Sequence, residues 1–127
     1  MTFQDFLAQI QTIKIEESRI QTEDYFEAVI SKGCLDSLHK ILIAYFGPPL
    51  KPEGRSPSGE ANRHAKPYGG IRKVQTMYFR RDKDHSECAL LWPWKNGARI
   101  TIKVIQSKSS SSATDFLGFL RILFGRK

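Results

Sequence analysis

Arg99-Ile100-Thr101-Ile102-Lys103-Val104 alternates polar and apolar side chains without a break. Successive side chains of a strand point to opposite faces, so Ile100, Ile102 and Val104 share a buried face while Arg99, Thr101 and Lys103 share a solvated, basic one. Just upstream, Lys95-Asn96-Gly97-Ala98 holds the Asn-Gly pair that accepts positive φ in a tight hairpin, and Glu87 to Trp92 reads as the preceding strand. Further back, Asp82-Lys83-Asp84-His85 is a polar turn that follows a strand from about Ile71 to Arg81. Short connections between consecutive strands predict a three-stranded antiparallel β-meander.

Helices must cover the apolar side of that meander. Phe3, Phe6, Leu7, Ile10 and Ile13 recur at steps of three and four behind Thr2, which is placed to cap, and they predict an amphipathic helix. Ile13-Lys14-Ile15-Glu16 also alternates like a short strand. Thr22-Glu23-Asp24 has the composition of a second helix start, with a hydroxyl for the free amides and acids at the positive end of the dipole. An apolar stripe from Tyr25 to Phe46 continues it to Gly47-Pro48-Pro49, with a kink or break at Gly33. Thr114 and Asp115 open a last helix whose Phe116, Leu117, Phe119, Leu120, Ile122, Leu123 and Phe124 leave hardly any polar face. Such a helix packs across the sheet or at a dimer interface, and the expected fold is α+β.

The 127 residues, 40% of them hydrophobic, suit one domain spanning 1–127. Two stretches interrupt it. Residues 47–70 hold five of the six prolines beside five glycines and read as a long loop, either a binding segment or disordered chain. Residues 107–113 form a Ser-rich connector. The N-terminus lacks the positive start and apolar core of a secretory signal. No run approaches the roughly 20 apolar residues of a membrane span, so the chain reads as soluble and cytoplasmic, with no transmembrane segment.

Charge divides the chain more sharply than composition does. Residues 1–46 carry four Lys and Arg against seven Asp and Glu, a net of −3, whereas the remainder carries sixteen against six, a net of +10. A basic half of that size favours an anionic partner such as nucleic acid, an acidic protein or an anionic membrane surface, through attraction that salt weakens.

Basic and aromatic side chains interleave along the expected sheet at Arg80, Arg81, Trp92, Trp94, Lys95, Arg99 and Lys103. Bases stack on aromatic rings while cations neutralise phosphates, so these seven are the candidate anion- or nucleic-acid-binding residues. Tryptophans sealing a core edge beside a solvated cationic face are the plainer explanation of the same pattern. The loop and its exit add Lys51, Arg55, Arg63, His64, Lys66 and Arg72 around Tyr68-Gly69-Gly70, without a phosphate-loop motif.

Catalytic signals are weak. Cys34 and Cys88 have no Cys-x-x-Cys spacing, no Gly-x-Ser-x-Gly elbow is present, and His39, His64 and His85 are scattered. Asp82, Asp84, His85 and Glu87 crowd one turn and could serve a metal-dependent nuclease, but turn chemistry explains them with no metal, and Lys83 opposes a bound cation. The expectation is a non-enzymatic binding module with no catalytic residue, metal or cofactor. The second reading is an assembly or adaptor protein that self-associates or docks a partner through the final helix.

Overall fold

The computed structural model describes residues 2–82 and 84–108. The expected C-terminal helix and residues 109–113 of the Ser-rich connector lie outside the described residues, and so does the adaptor reading that rests on that helix.

Helix α1 spans Phe3–Ile10 and opens on a reciprocal cap. Thr2 Oγ1 accepts from the Asp5 amide at 3.0 Å, and the Asp5 carboxylate accepts from the Thr2 amide at 3.1 Å. Those bonds from Thr2 hold the Asp5 carboxyl below its ordinary value. Phe3, Phe6, Leu7 and Ile10 are the buried face, as their spacing predicts.

Beyond α1 the architecture departs from the three-stranded expectation. The sheet has five strands in the order β1-β2-β5-β4-β3, every neighbour antiparallel. Its strands are β1 (Ile15–Gln21), β2 (Tyr25–Ser31), β3 (Thr76–Asp82), β4 (His85–Pro93) and β5 (Arg99–Lys108). Among the described residues the α-helices are α1, α2 (Leu35–Phe46) and α3 (Gly59–Ala65). Residues 22–31, expected to begin a helix, therefore form a turn and a strand. The cause is visible at Thr22, whose hydroxyl accepts from the Tyr25 amide at 3.0 Å just as a helix cap would. The Thr22 amide, however, donates to the Tyr25 carbonyl at 2.8 Å and closes a two-residue hairpin over Glu23-Asp24. The same acids that suit a helix start suit this turn.

Strand β2 then lies between β1 and β5 and is buried on both faces. Phe26, Ala28 and Ile30 join the core under α1 and α2, while Tyr25 and Val29 face the other side. Burial on two faces removes alternation, and the resulting Tyr25-Phe26 and Val29-Ile30 doublets imitate helical spacing. Gly33 lies in a 3-10 turn, Lys32–Cys34, between β2 and α2, so it separates strand from helix and does not divide one helix in two.

The β3–β4–β5 meander is present within this larger sheet. Gly97 takes φ +70° at the β4–β5 turn, where its amide donates to the Trp94 carbonyl at 3.0 Å. One face packs on α1 and α2 through Tyr78, Ala89, Leu91, Ile100, Ile102 and Val104. Part of the opposite face is closed by α3 and the segment after it, where Ala61, Ala65 and Ile71 pack with Met77, Cys88, Leu90 and Ile105.

Residues 47–70 thus carry a helix, with Ser58 accepting from the Ala61 amide at 3.1 Å as its cap. Lys51 anchors the segment to the sheet. Its backbone bridges Met77, its side chain is 1% exposed, and its ammonium donates to the Lys73 and Gln75 carbonyls. Burial lowers the Lys51 pKa and commits this cation to the fold, so it is unavailable to a ligand. Among the described residues no helix is long and apolar enough to cross a membrane.

Candidate anion-binding surface

The alternation that defines β4 and β5 sets Trp92, Trp94, Arg99 and Lys103 around the face opposite α1 and α2. Thr101 pairs with Trp92 across the strands and accepts from Trp94 Nε1 at 2.9 Å. The Arg99 guanidinium lies 5.6 Å from the Trp94 ring centroid and that of Arg19 lies 5.8 Å from it. Lys103 Nζ stands 3.5 Å from the Trp92 ring centroid and donates to the Tyr68 carbonyl at 3.2 Å. Desolvation there lowers the Lys103 pKa.

Of the other three candidates, Arg80 and Arg81 lie apart from this cluster and Lys95 is on the turn that joins Trp94 to Arg99. Arg80 emerges on the helix-covered face, with Nε 3.6 Å from Glu87 Oε1 and its guanidinium 4.5 Å from the Tyr45 ring centroid. Arg81 is exposed opposite Ser86, six residues along β4 from Trp92, a separation of about 20 Å. Lys95 projects from the β4–β5 turn and is exposed.

Acids from the first two strands neutralise much of the clustered charge. Glu16 accepts from Arg99 at 2.9 Å, and Arg19 pairs with Glu17 at 2.5 Å and with Glu27 at 3.6 Å. Glu27 also accepts from the Tyr25 hydroxyl at 2.5 Å, while burial raises the Tyr25 pKa. The interleaved pattern on the strands is therefore mostly paired, stacked or buried.

Exposed cations without such partners are densest in residues 54–73, which hold Arg55, Arg63, Lys66, Arg72 and Lys73, while Lys14, Lys32, Lys40, Arg81 and Lys95 are exposed singly elsewhere. Glu60 is the only acid of that segment, and it lies 3.8 Å from His64. Among the described residues no ion pair holds any of the five cations of that segment. Asn62, Lys66, Gly69, Gly70, Ile71 and Arg72 line an open depression on this arm. Gly69 and Gly70 turn the chain there with φ +106° and +85°, and their amides are spent on the Lys66 and Ala65 carbonyls. The positive potential of the depression accordingly comes from side chains.

In the Asp82–Glu87 turn the described acids and histidine point to separate partners. Glu87 is 6% exposed and faces α2, accepting from the Tyr45 hydroxyl at 2.6 Å and from Gln106 at 2.8 Å. His85 and Asp84 hydrogen-bond to each other at 2.8 Å. No three His, Cys, Asp or Glu among the described residues gather to hold a metal ion. The Tyr45–Glu87–Gln106 network was readable in part, since period two sets Glu87 on the face of Ala89 and Leu91.

Both cysteines are free thiols. Burial pushes the Cys88 thiol up to about 12, and Cys34 is half-buried with its Sγ 3.6 Å from Ser31 Oγ. An alkylating reagent at about pH 8 is expected to label Cys34 alone in the native protein and both thiols after denaturation. Mass spectrometry gives the count, and native labelling of Cys88 would show that β4 opens on the α3 side.

Comparison of the chain with descriptions of protein families, with curated proteins and with solved structures finds no match.

Proposed function

We propose that the protein is a non-enzymatic binding module for nucleic acid, engaged through the basic arm of residues 54–73 and not through the strands. The observation that carries this reading is the contrast in pairing. Arg19, Arg80 and Arg99 each have a carboxylate within 4 Å and Arg81 and Lys95 are exposed singly beside opposite ends of β4, whereas Arg55, Arg63, Lys66, Arg72 and Lys73 lie within one run of chain, exposed and without a carboxylate. A paired surface cation has little left to offer a phosphate, while an unpaired one releases counterions on binding.

The composition of the arm favours nucleic acid over an acidic protein. Protein interfaces are anchored by a buried apolar or aromatic centre. Among the described residues the exposed large apolar side chains are Ile43 on α2 and Val74, so one isolated valine borders the arm. Spread charge with little apolar anchor suits a polyphosphate backbone.

The test is fluorescence anisotropy with a single strand of roughly 12 nucleotides. Between about 50 and 200 mM salt, five phosphate contacts predict a slope of log K against log salt near −3.5, at about −0.7 per contact. Replacing all five arm cations with Gln is expected to abolish both binding and slope, while Lys95→Gln with Arg99→Gln leaves them nearly unchanged. Equal binding by the arm variant and the wild type would sink the proposal.

A further inference from the structure

Beside the arm, a cavity of about 160 Å³ opens between the end of α3 and strands β3, β4 and β5. Its polar lining is Arg63, His64, Tyr68, Ser86 and Ser107, contributed by α3, the turn after it, β4 and β5. Phe79, Cys88 and Ile105 supply an apolar wall. Glu87 contributes to the lining, but its carboxylate is held on the far side of the sheet by Tyr45 and Gln106.

We infer that this cavity receives a phosphate monoester group. The inference rests on the anionic-partner reading of the arm and deepens it by naming the group that is seated. Its size supports a terminal group, being well below the roughly 300 Å³ at which pockets take whole drug-sized ligands. Its chemistry supports phosphate. Arg63 presents a guanidinium fork without an ion pair among the described residues. Ser86 and Ser107 pair across β4 and β5 with hydroxyl oxygens 3.0 Å apart, Ser86 also reaches the Ser107 carbonyl at 3.5 Å and Ser107 bonds the Tyr68 phenol. A cluster of hydroxyls whose O–H groups rotate freely therefore forms the polar wall that a phosphate oxygen would meet.

His64 stacks on Phe79 with ring centroids 4.0 Å apart and planes 19° apart, so its orientation is set by packing. Burial, together with Arg63 and Arg81, lowers its pKa against the opposing pull of Glu60, which leaves a neutral ring at neutral pH. Burial likewise pushes the Tyr68 phenol up to about 12 and keeps it protonated. Arg63, His64 and the hydroxyl cluster thus surround one cavity from α3, the turn after it, β4 and β5. A tetrahedral phosphate uses that arrangement, whereas a planar carboxylate would engage the guanidinium fork alone.

The experiment compares one oligonucleotide with a 5′-phosphate or a 5′-hydroxyl, and separately titrates methyl phosphate into the isotope-labelled full chain while amide resonances are followed. The expected result is about tenfold tighter binding of the phosphorylated strand, with that preference lost in Ser86→Ala. Ser86 lies outside the arm, so this variant retains arm-mediated affinity for the hydroxyl strand. A preference absent between the strands, but methyl phosphate shifts at His64, Ser86 and Ser107, supports the cavity with a small phosphomonoester as its source.

The inference is overturned by unmoved cavity amides with equal binding of the two strands, or by a strand preference that survives Ser86→Ala. Failure of the arm reading is a separate result, because there neither strand binds at low salt whatever the cavity amides do.

Discussion

Phe6→Ala is expected to cost about 4 kcal/mol of folding stability, within the range for emptying a buried aromatic site. Phe6 is fully buried, and its ring stacks on Tyr45 with centroids 4.2 Å apart and planes 6° apart. Phe46 meets it edge-on at 5.4 Å, and Phe3 leans against it at 6.2 Å. These contacts dock α1 against α2. An eight-residue helix has no independent stability in water, so the reciprocal Thr2–Asp5 cap cannot hold α1 once its docking ring is gone. A domain's whole stability is about 5–15 kcal/mol, and the loss should lower the melting temperature by roughly 15 °C. Urea titration followed by circular dichroism measures it. A cost below about 1 kcal/mol would mean that α1 is not packed on α2 in solution.

The features legible from the chain alone were those with one chemical solution. Thr2 ahead of a three-four spacing makes a capped helix, and Asn96-Gly97 between alternating segments makes a hairpin. The register that follows is why Trp92, Arg99 and Lys103 could be expected on one face. Strands β1 and β2 were hidden for two different reasons. Strand β1 exposes Glu16, Glu17, Ser18 and Arg19 and offers little apolar alternation, whereas β2 is apolar on both sides and offers no polar alternation.

The concealed strands hide part of the site as well. Spacing predicts a helix around Glu27 and pairs the strand-like Ile13–Glu16 stretch with nothing, so the arrival of Glu16, Glu17 and Glu27 beside Arg99 and Arg19 is not legible in the chain. Arg80 was separated from its neighbours by the β3–β4 register, which sets it opposite Glu87 on the helix-covered face. The arm was visible as a run of cations, but its structure was not. Ser58 caps α3 through the local Ala61 amide but sits among prolines and glycines that read as loop, and Lys51 as a buried anchor depends on the distant Lys73 and Gln75 carbonyls.

Gly69→Ala tests whether the arm and the sheet are mechanically joined, and it is expected to cost about 3 kcal/mol. Two effects add. Gly69 sits at φ +106°, a conformation that costs an L-residue about 1–2 kcal/mol. A Cβ there would also lie 2.6 Å from Trp92 Cη2 and 3.1 Å from Cζ2, closer than real carbons approach. Overpacking of that kind typically costs a further 1–3 kcal/mol. The indole could swing away only by disturbing Lys103, whose ammonium rests on its ring and bonds the Tyr68 carbonyl.

Gly70→Ala separates the two effects. Gly70 takes φ +85°, and a Cβ there would meet nothing within 4 Å, so its cost should be the conformational part alone, about 1 kcal/mol. Urea unfolding of the two variants, read by tryptophan fluorescence and circular dichroism, gives the difference directly. A gap of about 2 kcal/mol identifies the Gly69–Trp92 contact as the joint between arm and sheet. Equal costs would mean that the indole yields freely, and that Lys66 and Arg72 are carried on a segment the sheet does not hold in place.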